Sequence, residues 1–181
     1  MSIAPNKVVS TQEVYSGRIV KLRVDEIVKK DGSKGRREIV EHDGGAVIVP
    51  YLEKDDKLVF IEQYRDAVQQ SLIEFPAGMI SLHEKPEETA ERELREETGY
   101  VAKSWMRIGN YFTSPGFTNE KHYLFLATRL NRISDVQDTL EIGNCIAIPR
   151  GKVLDMIQKG EIVDGKTILA FFWCERYLRK Q

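Results

Sequence analysis

Between Thr11 and His42 apolar and polar residues alternate, as VYSGRIVKLRVDEIVKK, then the turn DGSKG, then RREIVEH. A period of two broken by an Asp-Gly turn predicts antiparallel hairpins. Few large apolar residues run together there, and about thirty residues of this kind scarcely bury a core alone. This piece is therefore expected to pack on the rest of the chain or on a second copy. After Gly44-Gly45 the pattern changes: AVIVPYL and LVFIEQY, separated by EKDDK, read as two buried strands of a hairpin. SLIEFPAG reads as another strand, ended by Pro76 and Gly78. Residues 86–98 read as a helix, with Pro86 in its first turn and Gly99 just past its end. WMRIGNYFTSPGF gives a strand running into a loop, and KHYLFLATRL a further strand. IAIPRGKVLDMIQKGEI gives a strand and a short helix begun near Pro149 and stopped by Gly160. The last helix, KTILAFFWCERYLRK, is expected to turn Ile168, Leu169, Phe172 and Trp173 inward, with Tyr177 continuing the face.

Composition adds exclusions more than assignments. A chain of 181 residues fits one main domain with a small appendage. Its 27 basic and 28 acidic side chains nearly cancel, so nothing global points to nucleic acid. Cys145 and Cys174 lie in apolar segments without the paired spacing of zinc or redox sites, and are expected to fill core in a reducing, cytoplasmic compartment. The N-terminus has no basic start followed by an apolar run, and no stretch approaches the roughly 18 apolar residues of a membrane span. Neither a nucleic acid nor a membrane is expected as a partner.

Electrostatic specialisation is local. In GMISLHEKPEETAERELREETGY, residues 78–100, the carboxylates of Glu93, Glu96 and Glu97 share one helical face. At about 6 Å and an effective dielectric near 20, each like-charge pair costs roughly 2–3 kcal/mol, less where solvent screens it. Two of them stand in the last turn, where the helix dipole favours cations. One reading is an ordinary charged surface balanced by Arg92 and Arg95. The other is a hard divalent cation that neutralises the cluster, since oxygen ligands suit magnesium or manganese and magnesium commonly takes phosphates as further ligands.

The spacing bears on that choice. Gly78, five residues, Glu84, seven residues, then Arg92, Glu93, Leu94, one residue, Glu96, Glu97, one residue and Gly99 resembles the signature of the Nudix hydrolases. Tyr100 stands where an aliphatic residue is usual. The resemblance implies an α/β fold, the Nudix α/β/α sandwich with a mixed sheet over residues 43–181, preceded by a small N-terminal antiparallel β domain over residues 1–42. It implies hydrolysis of a nucleoside diphosphate linked to another group, with Mg²⁺, or Mn²⁺ in its place, as cofactor. Glu93, Glu96, Glu97 and the carbonyl of Ala77 are the implied metal ligands, with Glu96 also among the catalytic carboxylates. Glu84 is the implied support, and Arg92 is expected to orient the helix carboxylates by salt bridges. Ala90 and Leu94 are expected to face the core, and His83 has no matching role.

TSPGFTNE, with EHDGGAVIV, IEQYRDAV and LIEFPAG before the acidic helix and GEIVDGKTILA near the end, resembles the ADP-ribose pyrophosphatase branch of that family. That likeness implies cleavage of ADP-ribose to AMP and ribose 5-phosphate by a homodimer whose N-terminal strand domains are exchanged. By matching positions, Arg18 and Ile19 in YSGRI and Arg37 in GRREIVEH approach adenosine or ribose. Arg65 in EQYR approaches the phosphates, and Ser114, Gly116 and Glu120 of the loop line the substrate. A planar guanidinium can both stack on adenine and fork to phosphate, whereas salt-bridged surface strands are the plainer account of Arg37 and Arg65. Glu141 is the first choice of general base, Glu120 the second, with Asp138 in reserve. Other nucleotide sugars or dinucleotides as substrates, and a nucleotide-binding regulator without hydrolysis, stay open.

Overall fold

A computed structural model describes residues 5–133 and 142–178. The chain divides into two compact units: residues up to Gly44 together with Phe112–Lys121, and Gly45–Tyr111 together with the residues from His122 onward. The first unit thus draws on two separate stretches of sequence. Its core element is an antiparallel sheet of β1 (Lys7–Ser16), β2 (Lys21–Val28) and β3 (Lys34–Glu41), in that order. Ile27 and Asp25 are buried, but every residue of β1 is exposed, Val8, Val9, Val14 and Tyr15 included. An alternating strand with this much uncovered apolar surface is what the sequence pattern leads one to expect of a piece too poor in large side chains to cover itself.

The second unit holds β4 (Gly45–Leu52), β5 (Lys57–Arg65), β6 (Gln70–Glu74), β7 (Ala77–Met79), β8 (Tyr100–Phe112), β9 (Lys121–Arg132) and β10 (Ile142–Pro149), the last residue of β8 and the first of β9 belonging to the first unit. These strands form a mixed sheet of order β10-β5-β4-β9-β8, with β6 on β5 and β7 on β4. The expected hairpin of β4 and β5 pairs only next to its turn, Tyr51 with Leu58 and Leu52 with Lys57. Beyond that the two strands part. β4 runs parallel to β9, from Gly45 opposite His122 to Pro50 opposite Ala127. SLIEFPAG, read as one strand, is two. Residues 70–74 pair with β5, and after Pro76 residues 77–79 change partner to β4, Ala46 standing opposite Gly78. Proline has no N–H to continue a ladder, so the chain crosses from one arm of the split sheet to the other there.

Alternation along β4 sorts two cores. Ala46 and Ile48 face Ala90 and Leu94 of α1 (Pro86–Thr98). Val47 and Val49 face Phe60, Phe75 and the apolar sides of α2 (Arg150–Gln158) and α3 (Gly165–Leu178). Helices on both faces of a mixed sheet make the α/β/α sandwich. The limits of α1 are those its sequence predicts: Pro86 opens it, and Gly99 closes it in the left-handed region at φ 70°, its N–H on the carbonyl of Arg95 at 3.0 Å. Of the residues expected on the inward face of α3, Ile168, Trp173 and Tyr177 do pack against the core, each partly buried, but Phe172 does not. Thr167, Ala170, Phe171, Cys174 and Leu178 are buried, while Phe172 is 53% exposed. ILAFFW is apolar on both sides, so periodicity could not choose the face. Cys174 fills core as expected, and burial pushes its thiol up to about 12. Cys145 is only partly buried, a correction to the same expectation. Among the described residues no helix is long and apolar enough to cross a membrane.

Candidate active site

The acidic end of α1 reaches the split of the sheet where β7 begins. Glu97 is 7% exposed and accepts the N–H of Ala77 at 2.9 Å. Burial, and next the charge of Glu93, push its carboxyl up to about 8, against the pull of that N–H, Arg65 and Lys166. Glu93 is raised as well, chiefly by burial, with Arg92 opposing. The strand passes so close to Glu93 that a Cβ on Gly78 would stand 1.8 Å from its Oε1. Only glycine leaves room for that carboxylate.

Arg92 is the hub of the outer carboxylates. Its Nε and Nη2 donate to the two oxygens of Glu84 at 3.0 and 3.2 Å, and its Nη1 to Glu93 Oε1 at 2.6 Å and Glu96 Oε2 at 3.2 Å. Those bonds hold Glu84 down at about 2. Glu84 also accepts the N–H of Ser81, which ties the preceding loop to the helix. Ala90 and Leu94 lie wholly in the core, and His83 is exposed.

On β5, Arg65 forks onto Glu74, Nε to Oε1 at 2.9 Å and Nη2 to Oε2 at 2.6 Å. Glu74 raises the Arg65 pKa first, with Asp164 and Glu97 adding to it. Sequence reasoning passed over Glu74, Asp164 and Lys166. Glu74 sits in an apolar run, and a carboxylate in such a run is costly unless paired, which was the available signal.

The other expected substrate residues belong to the first unit. Residues 113–120 fold onto β3: Val40 N–H donates to the carbonyl of Phe117 at 2.8 Å, Asn119 N–H to that of Val40 at 3.3 Å, and His42 N–H to Asn119 Oδ1 at 2.8 Å. Ser114 turns the loop by accepting the N–H groups of Phe117 and Thr118 through its carbonyl. Glu120 accepts the hydroxyl of Thr113 at 2.7 Å and faces His42 Nδ1 at 3.5 Å. A cleft of about 460 Å³ in this unit is lined by Arg37 with Pro115, Gly116 and Phe117. Arg18 and Ile19 lie instead on the exposed β1–β2 turn. Glu141 and Asp138 lie outside the described residues.

A divalent cation is the group this donor set fits. Among the described residues no three His, Cys, Asp or Glu side chains converge tightly enough to hold an ion as they stand. Glu93 and Glu96 share Arg92 Nη1 as their donor, and Glu97 is turned to a backbone N–H. Yet two carboxylates whose ionisation burial disfavours, standing beside a glycine-lined strand, make an all-oxygen set that suits a hard cation.

The family model described as the NUDIX domain matches residues 42–164. A protein of Bacillus methanolicus named methanol dehydrogenase activator is 37% identical over 166 residues, 91% of this chain and 89% of that one. An ADP-ribose pyrophosphatase of Bacillus subtilis (strain 168) is 33% identical over 172 residues, 94% of this chain and 92% of that one. A solved structure of an ADP compounds hydrolase superposes with a TM-score of 0.87 over 100% of this chain and 98% of that one, at 21% identity, a likeness of fold.

Proposed function

We propose, since this chain belongs to the NUDIX family and is a Nudix hydrolase, that it hydrolyses the pyrophosphate of ADP-ribose to AMP and ribose 5-phosphate with Mg²⁺, or Mn²⁺ in its place. The buried, charge-suppressed Glu97 beside Glu93 at the mouth of the split sheet is the observation that carries this reading. Glu93, Glu96, Glu97 and the Ala77 carbonyl would hold the cation. When bound, it polarises a phosphoryl oxygen and acidifies a water.

The chain's own residues do the rest. Arg92 keeps Glu93 and Glu96 aimed while Glu84 anchors Arg92. Arg65 offsets phosphate charge. Arg18, Ile19 and Arg37 approach the adenosine or ribose, and the loop at Ser114, Gly116 and Glu120 lines the substrate. The likeness to an ADP-ribose pyrophosphatase over nearly the whole chain supports the substrate, and the uncovered apolar β1 supports an exchanged N-terminal domain in a homodimer. Glu141 takes the proton of the attacking water, with Glu120 and then Asp138 as alternatives.

Incubating the purified protein with Mg²⁺ and ADP-ribose should release AMP, and Glu97→Gln should abolish it. Turnover untouched by that change would sink the role of Glu97. The same assay run in competition with ADP-glucose, NADH and diadenosine compounds ranks substrates. A monomer in sedimentation at micromolar concentration would count against the exchange. The likeness to a protein named as an activator favours one second reading, a regulator that binds a nucleotide. Tight ADP-ribose binding with no AMP after hours would select it.

A further inference from the structure

Three charged side chains of the second unit, Arg65, Lys166 and, behind Lys166, Asp164, gather about the carboxylate of Glu74. Glu74 is 1% exposed, and both of its oxygens are engaged, Oε1 by Arg65 Nε and Oε2 by Arg65 Nη2 and by the ammonium of Lys166. Lys166 is held in turn by Asp164 Oδ2 at 3.0 Å, and that oxygen also accepts the N–H of Thr167 at 2.9 Å. Thr167 Oγ1 accepts the N–H of Phe75 at 2.8 Å. The start of α3 is therefore tied to two successive residues, Glu74 and Phe75, where the chain leaves β6.

Charge balance gives Lys166 its use. A buried carboxylate must be compensated, and a guanidinium that alone neutralises Glu74 has little field left for an incoming anion. Lys166 shares that charge, and Asp164 balances Lys166. The fork uses Nε and Nη2 and fixes the guanidinium plane, which leaves the Nη1 edge of a 38%-exposed side chain to meet another acceptor. The geometry points to Lys166 as a positioning residue for Arg65, acting through Glu74 to hold that edge toward the phosphates of a nucleoside diphosphate substrate. This rests on the proposed reaction, with Arg65 as its phosphate contact. It also gives a use to the DGKT stretch of GEIVDGKTILA, 92 residues along the chain from Glu74.

The test is steady-state kinetics with ADP-ribose and Mg²⁺, together with ADP-ribose affinity by calorimetry, on Lys166→Met, Arg65→Lys and the double variant. Lys166→Met is expected to raise KM about tenfold with kcat within about threefold, the pattern of lost uniform binding. In the Arg65→Lys background the same change should add less than about twofold, because the two residues act as one unit. Lys166→Arg, which keeps the cation, should restore KM to within about threefold of the parent. An unchanged KM in Lys166→Met while Arg65→Lys raises it overturns the proposal and leaves the reaction standing. The same factor in both backgrounds also overturns it, since that marks a general loosening of the fold. Arg65→Lys with parental KM and affinity removes Arg65 as the phosphate contact, and the proposal with it. If Lys166→Met loses its fold, Lys166→Gln replaces it: a raised KM supports the proposal and a parental KM overturns it.

Discussion

Replacing Glu97 with glutamine removes a charge that the fold carries poorly unaided, so the metal-free protein should gain stability at alkaline pH while losing its response to metal. The Glu97 carboxyl is pushed from an ordinary 4.5 up to about 8, first by burial and then by Glu93. Because the folded chain holds this proton more tightly than the unfolded one, stability is fully present below about pH 4.5 and is lost as pH rises toward about 8. At 1.36 kcal/mol per pKa unit the full loss is roughly 5 kcal/mol, and relaxation around the charge leaves a few kcal/mol. The variant cannot ionise, and its amide oxygen can still accept the Ala77 N–H. For a chain of this size, about 2–4 °C per kcal/mol makes the variant melt roughly 5–10 °C above the parent near pH 9 in chelator. The two should melt together near pH 4.5.

Mg²⁺ competes with the same proton. Its apparent affinity for the parent should rise about tenfold per pH unit up to about pH 8 and then level. Calorimetric melts of both proteins across this range, with chelator and with Mg²⁺, read each effect separately. A parent more stable than the variant near pH 9 in chelator would refute the burial reasoning. Equal Mg²⁺ increments in the two proteins would refute the placement of the cation at Glu97.

Three further expectations test other parts of the structure. Gly78→Ala puts a Cβ 1.8 Å from Glu93 Oε1 and must displace that carboxylate; kcat/KM for ADP-ribose should fall on the order of 10²-fold, while a melt should show a loss of only about 1–3 kcal/mol. Arg92→Met frees Glu84, whose carboxyl Arg92 holds at about 2, and stability of that origin is present above about pH 4.5 and lost as pH falls toward about 2. The melting gap between this variant and the parent should accordingly narrow on acidification, and a constant gap would argue for a packing effect alone. Phe171→Ala should cost about 3–5 kcal/mol in a denaturant titration, whereas Phe172→Ala should stay within about 0.5 kcal/mol, which separates the inward face of α3 from its neighbour.

What the sequence made legible was whatever local chemistry encodes. Pro86 and Gly99 carry stereochemical instructions that act within one turn, and the limits of α1 follow from them. The acidic spacing places Glu93 and Glu97 on one face because the helical pitch admits no other arrangement. Partner choice is different. Nothing in SLIEFPAG says that residues before Pro76 pair with β5 and residues after it with β4, because that choice depends on where β4 and β5 diverge. In the same way TSPGFTNE reads as a loop between strands, and its hydrogen bonds to Val40 and His42 are made across more than seventy residues of intervening chain. Glu74 is the sharpest case. Its burial is tolerable only through Arg65 and Lys166, and Lys166 is far from it in sequence.

Within the carboxylate cluster the structure also ranks groups that spacing leaves equal. Glu96 is half exposed, so water and Arg92 together screen it. Glu93 is partly buried but receives the 2.6 Å bond from Arg92, and its upward shift is opposed directly by that guanidinium. Glu97 has a backbone N–H and only the more distant charges of Arg65 and Lys166, and its carboxyl is pushed up to about 8. A cation entering this site gains most where existing compensation is least, so Glu97 should contribute more to its binding than Glu93, and Glu93 more than Glu96. That order inverts what exposure alone would suggest, since the most accessible carboxylate has the least need of the ion.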